Sequence, residues 1–446
     1  MNVGRMRATD YLGKTVDCSC GRSHTVGINT IEISAGALGQ VGRILREDGF
    51  SKPFIVSDYN THKAAGAELL TLLAKDGIAF SCYMLEDRQL VPDEYAMGRI
   101  LMNFDPDCDL IIGVGGGTIN DSCRFMSNRL KLPYYIVATA PSMDGYASTG
   151  APLIMNKFKV NFDCDVPRAI IADLDVISKA PQTMVAAGFG DMVGEYSCLA
   201  DWQLSAIING EYYCDLVVEI VRQSLDKMVA ARDGIAKGEP DAIAELMEAL
   251  VLSGIAMSYV GHSRPASGSE HRLSHFWEIR QLLEGKTGLL HGTKVGIATV
   301  LMADLYQRLA AEGLDGQAIS QIARPSTANW ENEIKEVFRE AAPEVLQLEE
   351  EVQKNSVANW TKRMKVMAER WPKIQEVLEG VPSACQVAEL IRGVGGVADP
   401  TEVGIDRDLV SEAIIYAKEV RSRYTVLQLA WDLGLLADYA REMAGQ

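Results

Sequence analysis

The amino-acid sequence predicts an α/β protein in which a parallel sheet flanked by helices is followed by a helical region. Short apolar runs alternate with helical runs up to about residue 180, and this alternation is typical of a parallel sheet with helices on both faces. A glycine-rich turn directly follows one of the apolar runs. Beyond Pro181 the strand signals nearly vanish and long helical patterns take over. We therefore place a domain boundary near residue 180.

The first region shows strands and helices in regular order. Apolar, β-branched and aromatic runs predict the strands, and amphipathic or Ala- and Leu-rich runs predict the helices. Strands are predicted over residues 54–57, 80–84, 110–114, 134–138 and 169–173. Helices are predicted over residues 63–75 and 94–103, and from the glycines after residue 113 to Leu130. In the second region, helices are predicted over residues 242–259 and 295–311, with a polar helical elaboration over residues 326–380.

Length, charge and cysteine content bound the class of protein. A chain of 446 residues is long enough for about two or three domains. Its net charge of −17 argues against a nucleic-acid or anionic membrane surface, which needs clustered Lys and Arg. No apolar run of about 18 residues occurs, so no membrane span is expected. The N-terminus lacks a hydrophobic signal core, and the nine cysteines are scattered, which favours a cytoplasmic protein with reduced thiols.

The glycine-rich turn is a candidate phosphate loop. Gly115, Gly116 and Gly117 follow the apolar strand at residues 110–114, and a helix that contains Asp121 begins there. Glycines let the backbone approach a diphosphate, and a helix N-terminus offers N–H donors and the positive end of its dipole. The spacing differs from the usual G-x-G-x-x-G, and a tight turn alone also needs glycine. The strand–turn–helix context nevertheless favours nucleotide binding.

A second loop follows the next strand. In open α/β sheets, ligands bind beyond the carboxyl ends of the strands, so this loop and the glycine-rich turn are expected to line one crevice. The hydroxyls of Thr139, Ser142 and Ser148 are candidate donors to a phosphate or amide oxygen. Asp144 is a candidate substrate contact, with the alternative that it caps a turn before Gly145.

Asp58 is a candidate contact to a ribose hydroxyl. It ends the first clear strand, and a carboxylate in that position repels the extra phosphate of NADP. The alternative is that Asp58 caps the following helix.

Histidine is concentrated in one segment. Four of the six histidines lie between Gly261 and Gly292. His271 and His275 are four residues apart, so a helix places them on one face, and His291 follows in a glycine-bounded stretch. Neutral imidazole is the commonest metal ligand. Satisfied core histidines are the alternative interpretation of this segment.

Asp191 is the candidate third ligand. It lies in the apolar, small-residue segment GFGDM, where a buried carboxylate is costly unless it is paired or metal-bound. With His271 and His291 it makes an Asp–His–His set. Three protein ligands with an open position are typical of catalytic metals, and Zn²⁺, Fe²⁺ and Ni²⁺ all accept N and O ligands. The alternative for Asp191 is a helix N-cap after Gly190.

The N-terminal segment Cys18–Ser19–Cys20–Gly21–Arg22–Ser23–His24 also contains metal-ligand residue types. No second Cys/His pair lies nearby in the sequence to complete four ligands. We interpret the segment as a short turn in an N-terminal hairpin.

The segments GVGGGTINDS, TAPSMDGYAS, GFGDM, GHSRPASGSEHRLSH and LLHG, in this order, resemble the motifs of the sn-glycerol-1-phosphate dehydrogenases. That family belongs to the iron-type alcohol dehydrogenase and dehydroquinate synthase superfamily. The resemblance extends from about Ile31 to Ala311, and CSCGRSHTV resembles bacterial members associated with arabinose operons. It implies a Rossmann-like parallel-sheet domain followed by an all-helical domain, as in dehydroquinate synthase. Residues 326–380 and the last segment are longer than the resemblance leads us to expect.

The resemblance also implies roles for the candidate residues. Residues 1–180 are then a dinucleotide-binding domain, and residues 181–446 a helical domain that binds metal and substrate. The expected dinucleotide contacts are Gly115, Gly116, Gly117 and Asp121, helped by Thr139, Ser142 and Ser148, with Asp58 favouring NAD(H) over NADP(H). The expected metal ligands are Asp191, His271 and His291, for one divalent ion (Zn²⁺, or Ni²⁺ or Fe²⁺). Asp144, His275 and Asp191 are the expected catalytic and substrate-binding residues.

The implied reaction interconverts dihydroxyacetone phosphate and sn-glycerol 1-phosphate, in phospholipid metabolism. Arg264, Arg272 and Lys157 are candidates to bind the substrate phosphate. Three alternatives stay open: a polyol dehydrogenase of the same superfamily, a dehydroquinate synthase-like cyclase, and a catalytically silent nucleotide-binding protein. We expect a homo-oligomer with a small phosphorylated triose as its substrate, and neither a nucleic-acid nor a membrane partner.

Overall fold

The computed structural model describes residues 7–155, 158–286 and 288–445. The strands are β1 (Val16–Asp17), β2 (Ser23–His24), β3 (Thr30–Ser34), β4 (Pro53–Asp58), β5 (Ser81–Leu85), β6 (Leu110–Gly115), β7 (Tyr134–Ala138), β8 (Gly150–Met155), β9 (Phe158–Asp163) and β10 (Ala169–Asp173).

Helices connect and follow these strands. Up to the last strand and just beyond it they are α1 (Val41–Asp48), α2 (Tyr59–Thr61), α3 (Ala67–Lys75), α4 (Glu94–Met102), α5 (Gly117–Leu130) and α6 (Leu174–Ile177). The remaining helices are α7 (Gln182–Val193), α8 (Glu195–Asn209), α9 (Asp215–Ala230), α10 (Arg232–Ala236), α11 (Pro240–Val260), α12 (Ser269–Leu283), α13 (His291–Ala311), α14 (Gly316–Ser320), α15 (Trp330–Phe338), α16 (Ala342–Val352), α17 (Val357–Glu379), α18 (Ala384–Gly393), α19 (Arg407–Tyr416), α20 (Val426–Asp432) and α21 (Leu436–Met443).

A six-stranded sheet organises the first part of the chain. Its strand order is β3-β10-β7-β6-β4-β5, and every neighbouring pair is parallel. β4 and β6 are neighbours in the sheet. The strand that follows β4 in sequence, β5, lies on the far side of β4, and the strand that follows β6, β7, lies on the opposite side, next to β6. Since ligands bind where the strand order diverges in this way, the carboxyl ends of β4 and β6 mark the expected crevice. Asp58 ends β4 and Gly115 ends β6.

The sheet is buried on both faces. Every residue of β6, β7 and β10 is buried, as expected for a parallel sheet covered by helices on both sides. Alternate residues such as Ile55, Ile112 and Val137 pack in one core cluster with α1 and α3. These near-continuous apolar runs are the reason that the central strands were predictable from sequence.

The predicted α/β architecture is confirmed, with differences at its margins. The edge strand β3 and the antiparallel hairpin β8–β9 were not predicted. Gly150 and Pro152 lie in β8, and both residue types weaken a strand signal. The helix predicted over residues 63–75 begins with a wide π-helical turn over His62–Gly66 before α3. The predicted N-terminal hairpin is confirmed by the antiparallel pair β1–β2.

The chain divides into two compact units. The first comprises Met1–Met192, Asp215–Pro265 and Gly393–Gly395. The second comprises Val193–Cys214, Ala266–Arg392 and Gly396–Gln446. Both units are discontinuous in sequence, whereas the predicted boundary near residue 180 marks the point where strands cease, just after β10.

One helix of the first unit is long and apolar. By length and composition alone, α11 could cross a membrane, although the sequence contains no uninterrupted apolar run of that length. Within the protein, 83 % of its most apolar window is buried. A central core helix meets the same criteria, so this is weak evidence for a membrane span.

A close approach fixes α7 against the second loop of the sheet. A Cβ atom on Gly188 would lie 1.9 Å from the carbonyl oxygen of Pro141 and 3.2 Å from the Cα atom of Ser142. Only glycine permits the helix backbone to come this near to the loop that follows β7. Gly188 belongs to the GFGDM segment, so part of that motif is explained by packing inside the first unit.

We therefore expect Gly188→Ala to lower the free energy of unfolding by about 1–3 kcal/mol, the usual cost of forcing extra volume into a packed interior. Gly98→Ala is the matched control because a Cβ atom there meets nothing within 4 Å. Since Gly98 lies inside α4, that change should be neutral or stabilise by up to about 1 kcal/mol. Denaturant unfolding of both variants tests the contact. Equal effects of the two substitutions would contradict it.

Candidate functional site

The glycine-rich turn combines one glycine required by packing with one that is open. A Cβ atom on Gly115 would lie 2.5 Å from Cβ of Ile119, whereas one on Gly116 would meet its nearest atom, Ser142 Oγ, at 3.4 Å. Gly116 precedes the first residue of α5. The half-buried backbone at Gly116 thus lies at a helix N-terminus, which is an arrangement that can bind phosphate.

The two sequence-predicted loops lie side by side within the first unit. The Thr139 N–H donates to the Gly115 carbonyl at 3.2 Å. The Cβ position of Gly117 lies 3.3 Å from Met143 Cγ. The side chains of Thr139 and Ser142 are nearly buried. The loops therefore meet at one end of the sheet, as the sequence analysis expects.

Arg124, which the sequence analysis missed, holds the second loop in place. Its guanidinium is fully buried. It donates to the carbonyl oxygens of Gly145 and Gly150 at 2.6 Å each, and to that of Tyr146 at 3.0 Å. Its Nε donates to the Tyr134 hydroxyl at 2.7 Å. A charged fork with this many acceptors fixes the loop geometry.

The same arginine engages two of the candidate dinucleotide contacts. The Ser148 hydroxyl accepts from Arg124 at 3.1 Å and donates to the Gly145 carbonyl at 3.1 Å. The Asp121 carboxylate accepts from Arg124 at 3.3 Å. Burial raises the pKa of Asp121 to about 6, although the positive charges of Arg124 and Lys159 oppose that rise. Asp121 and Ser148 thus belong to the hydrogen-bond network that shapes this crevice.

Asp58 caps a helix. Its Oδ1 accepts from the N–H groups of Asn60 and Thr61 at 2.7 and 2.8 Å, which matches the capping alternative. Both contacts use the same oxygen. The contact between Asp58 and a ribose hydroxyl therefore stays a prediction, and Oδ2 is the oxygen that would make it.

Two candidate acids of the first unit, Asp144 and Asp191, are joined by a hydrogen bond. The Asp144 N–H donates to Asp191 Oδ2 at 3.1 Å, and the Ser253 hydroxyl donates to Asp144 Oδ2 at 3.4 Å. Asp191 is fully buried inside α7 and does not cap it. The Asp144 side chain makes no capping bond to the turn over Gly145–Ala147. The capping alternatives for these two residues were therefore wrong.

Three histidines meet within the second unit. The ring centroids of His271 and His291 are 5.2 Å apart, and those of His275 and His291 are 5.8 Å apart. A ring nitrogen of His271 and one of His291 lie within 4.8 Å of each other. The start of α12 carries His271 and His275, and the first residue of α13 is His291. The predicted clustering of these side chains is thus present in the structure.

A carboxylate orients each of the two predicted ligand histidines. Nδ1 of His271 lies 2.8 Å from Glu270 Oε1, and Nδ1 of His291 lies 3.1 Å from Glu278 Oε1. Because an ionised carboxylate only accepts hydrogen bonds, Nδ1 carries the hydrogen and Nε2 keeps its lone pair. Histidines that bind metals are held in this way. The donor set therefore fits a divalent metal.

Glu270 is buried and receives three donors. Besides His271, the Ser197 hydroxyl donates to it at 2.5 Å and the Gly268 N–H at 2.6 Å. Burial alone would raise the pKa of Glu270, but the hydrogen bonds from His271, Ser197 and Gly268 outweigh burial and lower that pKa. Glu270 is therefore ionised and can hold the His271 ring.

A second buried carboxylate explains the glycine of this motif. Asp201 accepts from the N–H of Ser269 at 2.6 Å and from the Tyr306 hydroxyl at 2.8 Å. A Cβ atom on Gly268 would lie 2.6 Å from Asp201 Oδ2 and 2.6 Å from the Cα atom of Cys198. The segment Gly268–His271 thus places the start of α12 beside the buried carboxylates of Asp201 and Glu270. The burial of these two acids could not be predicted from the sequence.

Glu278 also binds a buried lysine. Lys294 Nζ lies 2.9 Å from Glu278 Oε1, and its side chain is almost fully buried. Glu270, Glu278 and Lys294 were not among the predicted site residues. Their signal was spacing: Glu270 adjoins His271, Glu278 lies three residues after His275, and Lys294 lies three residues after His291.

The candidates for binding a substrate phosphate are distributed over the chain. Arg264 is buried in a short 3₁₀ turn of the first unit, and Arg272 is buried in α12 of the second. Lys157 lies outside the described residues.

Comparisons with known proteins agree with the fold and the motifs. The family described as iron-containing alcohol dehydrogenase matches residues 32–181. A protein of Geobacillus thermodenitrificans named glycerol-1-phosphate dehydrogenase (NAD(P)+) is 35 % identical over 92 % of this chain and 94 % of its own length. One of Bacillus licheniformis with the same name is 33 % identical over 96 % of this chain and 95 % of its own length. At that coverage, the segment of residues 326–380 lies within the matched part of the chain.

A solved structure shares the fold. Glycerol dehydrogenase from Schizosaccharomyces pombe superposes with a TM-score of 0.60 and 15 % sequence identity, covering 94 % of this chain and 91 % of its own. Identity this low supports the architecture alone.

Proposed function

Because the chain belongs to the family of NAD(P)+-linked glycerol-1-phosphate dehydrogenases, we propose that it interconverts dihydroxyacetone phosphate and sn-glycerol 1-phosphate. The cofactor is NAD(H) or NADP(H), with one divalent metal. The observation that carries the proposal is the pair of histidines, His271 and His291, whose Nδ1 atoms bind carboxylates. That arrangement supports a metal site, because a carboxylate on the second ring nitrogen is a usual partner of a metal-bound histidine.

The proposed metal ligands are Asp191, His271 and His291. Support comes from the two oriented imidazoles in the second unit and from the buried carboxylate of Asp191 in the first. Three ligands leave a position open for substrate. When bound, the metal supplies Lewis-acid polarisation of a carbonyl oxygen, and the nicotinamide supplies or accepts hydride. Zn²⁺, Ni²⁺ and Fe²⁺ all suit this donor set.

The proposed dinucleotide site is the crevice at the carboxyl ends of β4, β6 and β7. The open backbone at Gly116 and the N-terminus of α5 receive the diphosphate. Thr139, Ser142 and Ser148 line the neighbouring loop, while Arg124 and Asp121 keep that loop in shape. We assign a preference for NAD(H) to Asp58, through the oxygen that does not cap α2. In functional terms, residues 1–180 then bind the dinucleotide and residues 181–446 bind metal and substrate.

The chain's own groups have three tasks in the reaction. Asp144 and Asp191 contact the hydroxyls of the triose. His275, one helical turn from His271, positions the substrate and passes a proton between the C2 oxygen and solvent. Arg264 or Arg272 binds the phosphate, whose distance from C2 lets its binding energy orient the reacting carbon. The enzyme is proposed to be cytoplasmic and homo-oligomeric.

The metal assignment predicts that His271→Ala removes the metal ion held at Asp191, His271 and His291, and turnover with it. Glu270→Gln should keep the fold but weaken metal affinity by about 10–100-fold, since the partner that orients a ligand histidine has an effect of that size. His62→Ala is the control, because His62 lies in the π-helical turn before α3. Metal content by elemental analysis and affinity by chelator competition test this. Full activity in metal-free His271→Ala protein would refute the assignment.

The substrate assignment predicts that phosphate recognition can be separated from chemistry. The unmodified enzyme should use unphosphorylated dihydroxyacetone at least about 100-fold less efficiently than its phosphate ester. If Arg264 binds the phosphate, Arg264→Ala should lower kcat/KM for the ester by about 10–100-fold, the range for hydrogen bonds to a charged group. Its activity on dihydroxyacetone should not change, which provides an internal control. Arg272→Ala is measured in the same way.

Two results of these kinetics would count against the substrate assignment. Comparable efficiency on glycerol and glycerol 1-phosphate would favour a polyol dehydrogenase. If each arginine variant lowers kcat/KM equally for dihydroxyacetone and for its phosphate ester, neither arginine binds the phosphate.

A further inference from the structure

The N-terminal hairpin carries metal-ligand side chains that the proposed dehydrogenase reaction does not use. Strands β1 and β2 pair with Val16 opposite His24. The turn between them closes through hydrogen bonds from Cys18 N–H to the Arg22 carbonyl at 3.1 Å and from Gly21 N–H to the Cys18 carbonyl at 3.0 Å. Gly21 has a φ of +84°, which lets the chain reverse directly after Cys20. All of these residues lie in the first unit.

The turn brings two thiols and an imidazole together. The Sγ atoms of Cys18 and Cys20 and a ring nitrogen of His24 all lie within 4.8 Å of one another. Cys20 Sγ is 3.3 Å from His24 Nε2. In a tetrahedral zinc site, bond lengths near 2.3 Å to sulfur and 2.0 Å to nitrogen separate two ligand atoms by about 3.5–3.8 Å. The three side chains are thus already near the spacing that one zinc ion requires.

His24 is oriented as a zinc-binding histidine is. It is buried, and its Nδ1 lies 3.0 Å from the carbonyl oxygen of Tyr259. Since a carbonyl only accepts, Nδ1 carries the hydrogen and Nε2 presents its lone pair toward the cysteines. A backbone carbonyl on the other ring nitrogen is a usual partner of a metal-bound histidine. The ring also stacks on Tyr259, with centroids 5.1 Å apart and planes 15° apart.

We propose that Cys18, Cys20 and His24 bind a structural Zn²⁺, distinct from the ion held at His271 and His291. Thiolate and imidazole ligands together select zinc over Mg²⁺, Ca²⁺ and Mn²⁺, which prefer oxygen. A structural zinc takes four protein ligands, so the fourth would be a side chain outside the hairpin. The sequence interpretation of a plain hairpin turn is thereby extended, because the turn itself gathers the ligands.

The ion would fasten the N-terminal segment to the end of α11. His24 contacts Tyr259 in the last turn of that helix, and Tyr11 packs edge-on against the same ring at 6.0 Å. Nearer the start of α11, the Ala8 N–H donates to Glu248 at 2.5 Å. The strands β1 and β2 have only two residues each, too few to hold a hairpin by themselves. A metal crosslink supplies the missing constraint.

The test is metal counting combined with cobalt spectroscopy on the full-length protein. The unmodified protein should carry two divalent ions per chain. Cys18→Ser and Cys20→Ser should each lose one equivalent of zinc and keep the ion held at His271 and His291. His271→Ala should lose that ion and keep the zinc of the hairpin. Cys82→Ser is the matched control, because Cys82 is exposed on β5. After exchange with Co²⁺, a thiolate-to-cobalt charge-transfer band should appear in the unmodified protein, in His271→Ala and in Cys82→Ser.

The outcomes separate this site from the proposed active-site metal. The charge-transfer band reports thiolate ligands only, so it is expected even if the metal assignment at His271 fails. Absence of the band from the unmodified protein, or its persistence in both hairpin variants, would overturn the proposal. If the hairpin variants do not fold, alkylation of the unmodified protein decides: Cys18 and Cys20 should react only after chelation. Equal reactivity with and without chelator would also overturn it.

Discussion

The buried carboxylate of Glu270 is the constraint on which the candidate site depends. It accepts from a serine hydroxyl, a backbone N–H and the His271 ring, and those three donors keep it ionised despite its burial. An ionised acceptor beside Nδ1 leaves His271 only one nitrogen for a metal. Glu278 repeats the device for His291. Position 268 requires glycine, because a Cβ atom there would lie 2.6 Å from Asp201 Oδ2 and 2.9 Å from Glu270 Oε2.

In the first unit, a buried charged group likewise fixes the position of a loop. Arg124 binds three carbonyl oxygens of the segment after β7, and Gly188 lets α7 approach that segment from another direction. The position of Asp144 relative to Asp191 follows from these two contacts. Burying a charged group costs free energy because the group loses its hydration. Hydrogen bonds inside the protein offset that cost. Conformational precision at the crevice thus rests on buried polar groups as much as on apolar packing.

Much of the fold was readable from the sequence, and the reasons are specific. The central strands are buried on both faces, so they appear as continuous apolar runs such as Leu110–Ile111–Ile112. The edge strand β3 and the hairpin β8–β9 mix polar residues, glycine and proline, and their signal is correspondingly weak. The histidines stood out because the residue is rare here. Arg124, Glu270 and Glu278 did not, because a sequence shows the spacing of such residues but does not distinguish a buried acid or base from a solvated one. The participation of Asp191 in the metal site stays a prediction.

The central claim is that this chain reduces dihydroxyacetone phosphate at C2 to a single enantiomer of glycerol phosphate. The most direct measurement is oxidation of NADH with dihydroxyacetone phosphate by the metal-loaded protein, followed by chiral analysis of the product. We expect sn-glycerol 1-phosphate as the sole product. Formation of sn-glycerol 3-phosphate, or of no glycerol phosphate at all, would contradict the account.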